Sequence, residues 1–166
     1  MGKKPSKKTA KKPSLTGVKK ATGVAAVKCK NPPLKTGTLG TYGDLLKQKG
    51  TGTSDRDHMP SYKALEKRAE KLAKRKLTSA EKGRVKRAGK AIVLPKAQHK
   101  RGRTFGGKNT DVQSSSDATD LAAAVKKDIQ AYKDDGVSGP LLKTMNTMKM
   151  TNKQYDTLLL GAVKGQ

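Results

Sequence analysis

The 166-residue chain is short of almost everything that builds a large core or a membrane anchor. Tryptophan is absent, phenylalanine occurs once and tyrosine four times, so aromatics make up 3% of residues and the hydrophobic set 33%. Globular chains usually carry roughly 45–50% apolar residues, so either the core is thin or part of the chain stays outside it. The distribution of charge selects the second. No apolar run approaches the ~20 residues of a bilayer-spanning helix, and the opening MGKKPSKKTAKK lacks the apolar stretch of a secretory signal. We therefore expect neither a membrane protein nor Sec export. The single cysteine, Cys29, cannot form an internal disulfide, and without a Cys-x-x-Cys pair a structural zinc finger is excluded.

Acidic residues are scarce too: 13 Asp and Glu stand against 38 Lys and Arg, a net charge of +25. The excess sits in two blocks. Residues 1–36 carry 11 Lys and no acid, and residues 62–103 carry 16 Lys and Arg against Glu66, Glu70 and Glu81. The stretches 37–61 and 104–166 are close to neutral. In the first block Lys pairs alternate with Pro, Ser, Thr and Gly, a composition that buries no apolar surface, so 1–36 reads as a disordered tail. Such a tail is either a solvated leader or an arm that binds phosphate without sequence preference.

In the second block the charges ride on a helical pattern. After Ser61 as N-cap, Leu65, Ala69, Leu72 and Ala73 recur at helical spacing, predicting a helix over about 62–76 with a basic back. Thr78-Ser79-Ala80-Glu81 matches a capping box and opens a second short helix that Gly89 ends. Like charges this dense repel, and an anionic partner such as nucleic acid would relieve them. Lys71, Lys74, Arg75, Arg84, Arg87 and Arg101 are the candidate nucleic-acid contacts. The alternative is a solvated basic surface.

KAIVLP (90–95) reads as a buried strand, and KAQHKRGR begins a helix near Pro95. The glycines of TFGGKN mark a loop. A helix is predicted over about 117–133 with Ser116 as its cap and Ala118, Leu121, Ala122, Val125, Ile129 and Tyr132 on one face. Two more follow, one after Pro140 and one from the capping box Thr151–Gln154, their Leu and Met stripes serving the core. The fold class is α+β and mostly helical. A folded domain over 37–166 is expected, with supporting helices in 116–135 and 141–164.

Only two histidines exist. His58 follows Asp57 at the end of an extended segment, and His99 lies four residues past Pro95, facing out of the first turn of its helix. A carboxylate beside an imidazole, joined by a second imidazole, suits a divalent cation, Mg, Mn, Zn or Ni. Taken singly, each histidine is better read as a surface or capping residue.

Taken together, Asp57-His58-Met59-Pro60-Ser61 and Ile92–Gly106 (IVLPKAQHKRGRTFG) resemble the D-H-[IM]-P-S and strand-P-x-x-x-H-x(4)-T-[F/Y]-G elements of nuclease domains in bacterial polymorphic toxins. These belong to the HNH/endonuclease VII, or His-Me finger, superfamily. The resemblance covers about residues 38–133, with its motif core in 54–109. It implies a ββα-metal finger holding one divalent cation, and here 41 positions separate the histidines, so a basic helical pair must be inserted between the finger strands. It further implies His58 as general base. Arg56 and Arg103 are the other catalytic candidates, and Arg101 and Arg103, within a helical turn of His99, read either as phosphate clamps or as part of a solvated basic face. Asp57 and His99 are implied as metal ligands and Asn109 as a weaker one.

The expected function is a metal-dependent, largely sequence-non-specific DNA endonuclease acting as an antibacterial effector. DNA is the expected partner, with RNA possible, together with an acidic immunity protein. No membrane and no small-molecule substrate is expected. The protein would be made in the producer's cytoplasm and act in that of a target cell. Two other readings stay open at this point: a non-catalytic histone-like protein that condenses DNA, and a ribonuclease toxin. Asp57 favours the enzyme over the condensing protein, because a carboxylate repels phosphate unless a cation intervenes.

Overall fold

The run 91–94 is apolar at every position because both faces of its strand are covered. The computed structural model describes residues 33–166; most of the Lys-rich tail, 1–32, lies outside the described residues. Three antiparallel strands, β1 (Leu39–Thr41), β2 (Ser54–His58) and β3 (Lys90–Pro95), form one sheet with β3 in the centre. Side chains alternate across a strand, so Ile92 and Leu94 join the main core, while Ala91 and Val93 pack with Leu34, Leu45 and Tyr42 on the opposite face. A central strand with no solvated face needs no polar alternation.

The rest is helical: α1 (Tyr42–Leu46), α2 (Tyr62–Ala73), α3 (Ser79–Ala88), α4 (Lys96–Arg101), α5 (Asp111–Thr119), α6 (Leu121–Asp134), α7 (Gly139–Asn146) and α8 (Asn152–Lys164). The class is α+β and mostly helical, as the sequence indicates. The basic pair α2 and α3 fills the connection between β2 and β3, and α4 leaves β3 directly. The main core gathers Leu65 and Ala69 of α2, Val85 of α3, Leu121, Val125 and Ile129 of α6, Met145 of α7, and Tyr155 and Leu159 of α8 against β3. Among the described residues no helix is long and apolar enough to cross a membrane.

Several boundaries differ from the sequence reading, each for a local reason. Folded structure begins ahead of residue 37: Leu34 is 2% exposed and its N–H donates to the Lys49 carbonyl at 2.9 Å. The helix over 62–76 stops at Ala73, because Lys74 turns into the left-handed region with φ 54°. The helix expected over 117–133 is two. Thr110, not Ser116, caps α5, and Asp120 both ends α5 and caps α6, its carboxylate accepting from the Ala123 N–H at 2.9 Å. Ser116 lies inside α5.

The capping boxes of α3 and α8 are both present. Gly89 ends α3, but at φ −56°, so no left-handed turn requires glycine there. A Cβ at Gly89 would stand 2.7 Å from Leu65 Cδ1 and 2.9 Å from His58 Cδ2, so it is close packing that excludes a side chain.

Candidate functional site

The pairing of β2 with β3 dictates which side chains meet. Asp57 lies opposite Ile92 and Asp55 opposite Leu94, so both aspartates share the main-core face. Arg56, opposite Val93, and His58, opposite Ala91, point the other way. Helix α4 then turns His99 back over the aspartates rather than out to solvent. Its Nδ1 lies 3.1 Å from Asp55 Oδ2 and its Nε2 3.3 Å from Asp57 Oδ1. Phe105 packs edge-on against the imidazole, with ring centroids 4.9 Å apart. Burial alone would lower the His99 pKa, but hydrogen bonds and negative charge from Asp57 and Asp55 outweigh it and hold the imidazole above its ordinary value.

Asp57 has a second partner. The hydroxyl of Tyr132, on α6, donates to Asp57 Oδ2 at 2.7 Å in a buried contact. Burial, with the Asp57 and Asp128 carboxylates nearby, raises the phenol far above its ordinary pKa, so Tyr132 stays a donor. Asp128 stands one turn before Tyr132 on α6, and its Oδ2 is buried without a partner.

His58 occupies a different environment, across the strand from the Asp57–His99 pair. Its ring is stacked on Tyr42 with centroids 4.2 Å apart, Tyr62 flanks it at 6.1 Å, and it is 8% exposed. Nε2 lies 2.9 Å from the Lys86 carbonyl, which only accepts, so Nε2 carries the proton and Nδ1 the lone pair. Burial pushes the His58 pKa below its ordinary value, partly offset by the Lys86 carbonyl and the Asp57 charge. The Lys86 ammonium lies over both tyrosine rings, 5.5 Å from one centroid and 5.7 Å from the other.

Arg56 donates to the Leu45 and Gln48 carbonyls, closing the end of α1. Arg103 is not a free phosphate clamp, because its guanidinium pairs with Asp117 at 2.9 Å and Asp128 at 2.8 Å and also donates to the Ala124 carbonyl. Asn109 closes a 3-10 turn over Gly106–Lys108, and its buried Oδ1 accepts no hydrogen bond. Arg75 forks onto Glu81, Arg84 onto the Ala162 and Val163 carbonyls at the end of α8, and Arg101 pairs with Asp135. Lys71, Lys74 and Arg87 make no ion pair among the described residues.

Repulsion within the basic pair is thus relieved internally as well. Arg68 pairs with Asp156, Lys67 with Asp111 and Lys82 with Glu66. Two site residues escaped the sequence reading. Asp55 was legible, since residues two apart on a strand share a face. Tyr132 gave no local signal, standing 75 positions from its partner.

The chain is 38% identical over 96 residues, 57% of its length, to a protein named deoxyribonuclease CdiA from Dickeya dadantii (strain 3937). Those residues amount to 3% of that much longer protein. No family model matches the chain, and no solved structure matches it.

Proposed function

We propose that this chain is a metal-dependent endonuclease domain that hydrolyses DNA with little sequence preference and acts as an antibacterial toxin. The observation that carries the reading is the convergence of Asp57 Oδ1 and His99 Nε2, 3.3 Å apart where β2 meets α4. The stretch similar to a protein named a deoxyribonuclease directs it to DNA.

The residues fit a divalent cation. Adjacent ligands of an octahedral ion with ~2.1 Å bonds stand about 3 Å apart, close to the separation of these two atoms. Asp55 takes Nδ1 of His99, fixing the ring so that Nε2 faces Asp57, as carboxylates commonly orient metal-binding histidines. Among the described residues no group of three or more His, Cys, Asp or Glu is arranged to hold a metal. One carboxylate and one imidazole would suit Mg, Mn, Zn or Ni.

When bound, the cation supplies neutralisation of charge at the scissile phosphate and leaving 3′ oxygen. Asp57 and His99 hold it, and Asp55 orients His99. His58 accepts the proton of the attacking water at Nδ1, being kept neutral by its lowered pKa and held in one tautomer by Lys86. Lys71, Lys74 and Arg87 contribute phosphate contacts. An acidic immunity protein in the producing cell would cover the basic surface, and the domain would act in the cytoplasm of a target cell.

Supercoiled plasmid incubated with Mg²⁺, Mn²⁺, Zn²⁺ or Ni²⁺ tests the reading. Nicking is expected with at least one cation, abolished by EDTA and by Asp57→Asn or His99→Ala, and reduced roughly 10²–10⁴-fold by His58→Ala. Because His58 lies across β2 from Asp57, its variant is read separately: full activity in His58→Ala alone removes the general base while leaving the cation pair. Retardation of DNA without nicking under every cation would instead mark a DNA-condensing protein, and preferential cleavage of structured RNA a ribonuclease.

A further inference from the structure

Helix α6 carries three positions one turn apart that meet Arg103 or Asp57. The Ala124 carbonyl and the Asp128 carboxylate receive Arg103, and the Tyr132 hydroxyl reaches Asp57. Arg103 follows α4 immediately and also grips Asp117 of α5, so one guanidinium ties the end of the His99 helix to both α5 and α6. The last turn of α4 closes at Gly102, where an added Cβ would collide with the Tyr132 hydroxyl and stand 3.0 Å from the His99 carbonyl. The phenol is thus held between the helix that carries one cation-holding residue and the carboxylate that is the other.

A carboxylate on a strand rotates about its Cβ–Cγ bond with little resistance, and either oxygen can then face a neighbour. In this structure Tyr132 occupies Oδ2, and it is Oδ1 that is left toward His99 Nε2. We propose that Tyr132 is a positioning residue of the site, pinning the Asp57 carboxylate so that one oxygen faces the cation, with Gly102 keeping the space its hydroxyl needs. The proposal rests on the reading of Asp57 and His99 as the cation-holding pair. Tyr132 touches neither substrate nor cation and acts only through Asp57.

The test is Mn²⁺ binding by the full chain, read by electron paramagnetic resonance of free Mn²⁺ without any nucleic acid, alongside thermal unfolding. Tyr132→Phe keeps the ring and removes only the donor. It is expected to weaken Mn²⁺ binding by ~10–100-fold, the usual consequence of removing a group that orients a metal ligand, while the protein still unfolds cooperatively. Gly102→Ala, which displaces the same hydroxyl from the other side, should weaken binding too. In the double variant the losses should be less than additive, because both act on one hydrogen bond.

Binding by Tyr132→Phe within twofold of wild type, while Asp57→Asn abolishes it, overturns the positioning role and leaves the cation pair standing. A purely structural tyrosine would give the same result with a lowered melting temperature. Should Tyr132→Phe fail to fold, an unchanged Mn²⁺ affinity in Gly102→Ala overturns the role by itself. Equal binding, or none, by wild type and Asp57→Asn instead removes the cation pair itself, and the positioning role with it.

Discussion

His58 and His99 are held on opposite sides of the ordinary imidazole pKa, because burial prevails at His58 whereas at His99 two carboxylates outweigh it. His58 is buried against tyrosines and one carbonyl, whereas His99 is buried between two carboxylates. The same competition acts on Asp128. Burial, with Asp57 and Asp117 nearby, outweighs the attraction of Arg103 and pushes its carboxyl up to about 8. An unfolded aspartate titrates near ~3.9, so between that pH and about 8 the folded protein binds the extra proton. Its contribution to stability is therefore fully present below pH ~4 and is lost as pH rises toward 8. Asp128→Asn stays neutral and keeps an oxygen for Arg103, so it should lose less stability than wild type between pH 5 and pH 8. Urea midpoints at the two pH values check this, and an unchanged difference would mean that Asp128 is already ionised at pH 5.

At the scale of elements, the helix starts were the most legible feature, because a cap is a local hydrogen bond between residues three apart. Thr78 and Thr151 each close a capping box at the predicted position. Thr78→Ala should lower the unfolding free energy by about 1 kcal/mol, seen as a lower urea midpoint at unchanged slope. Glu81, the other half of that box, is held far below the ordinary carboxylate range by Arg75 and the Thr78 N–H. Its contribution is present above the unfolded pKa near ~4.3 and disappears as pH falls below it, so Glu81→Gln should flatten the acid limb of the stability curve. The break at Asp120 has no mark in the apolar pattern, because the stripe runs on through it. The left-handed turn at Lys74 likewise lacks the glycine that would have announced it.

At the scale of the molecule, the +25 charge divides unevenly between two regions. Residues 1–32 hold ten lysines and no acid, and the described fold keeps the remaining +15. Within that fold several arginines expected on nucleic acid are spent on carboxylates and helix ends. Electrostatic affinity for DNA should therefore depend strongly on the first block. Deleting residues 2–30 is expected to weaken DNA binding at low salt and to flatten the dependence of log K on log salt, leaving cooperative unfolding intact. Fluorescence anisotropy across a salt series, with thermal melts, measures both. An unchanged salt slope would place the phosphate contacts on the folded domain alone.

Composition, strand alternation and capping are properties of neighbours in the chain. That is why the fold class, the buried strand and the basic helical pair could be read from the sequence alone, while the ligand roles of Asp57 and His99 came with the family resemblance of their motifs. Alternation also contained what was missed: Asp55 shares the face of Asp57, and His58 does not. What only the tertiary structure decided is partnership over long separations. His99 bridges Asp55 and Asp57, Tyr132 binds Asp57 from another helix, and Arg103 is consumed by Asp117 and Asp128. A guanidinium or a phenol satisfies its donors with whichever acceptor packing delivers, and that acceptor leaves no trace in the residues beside it.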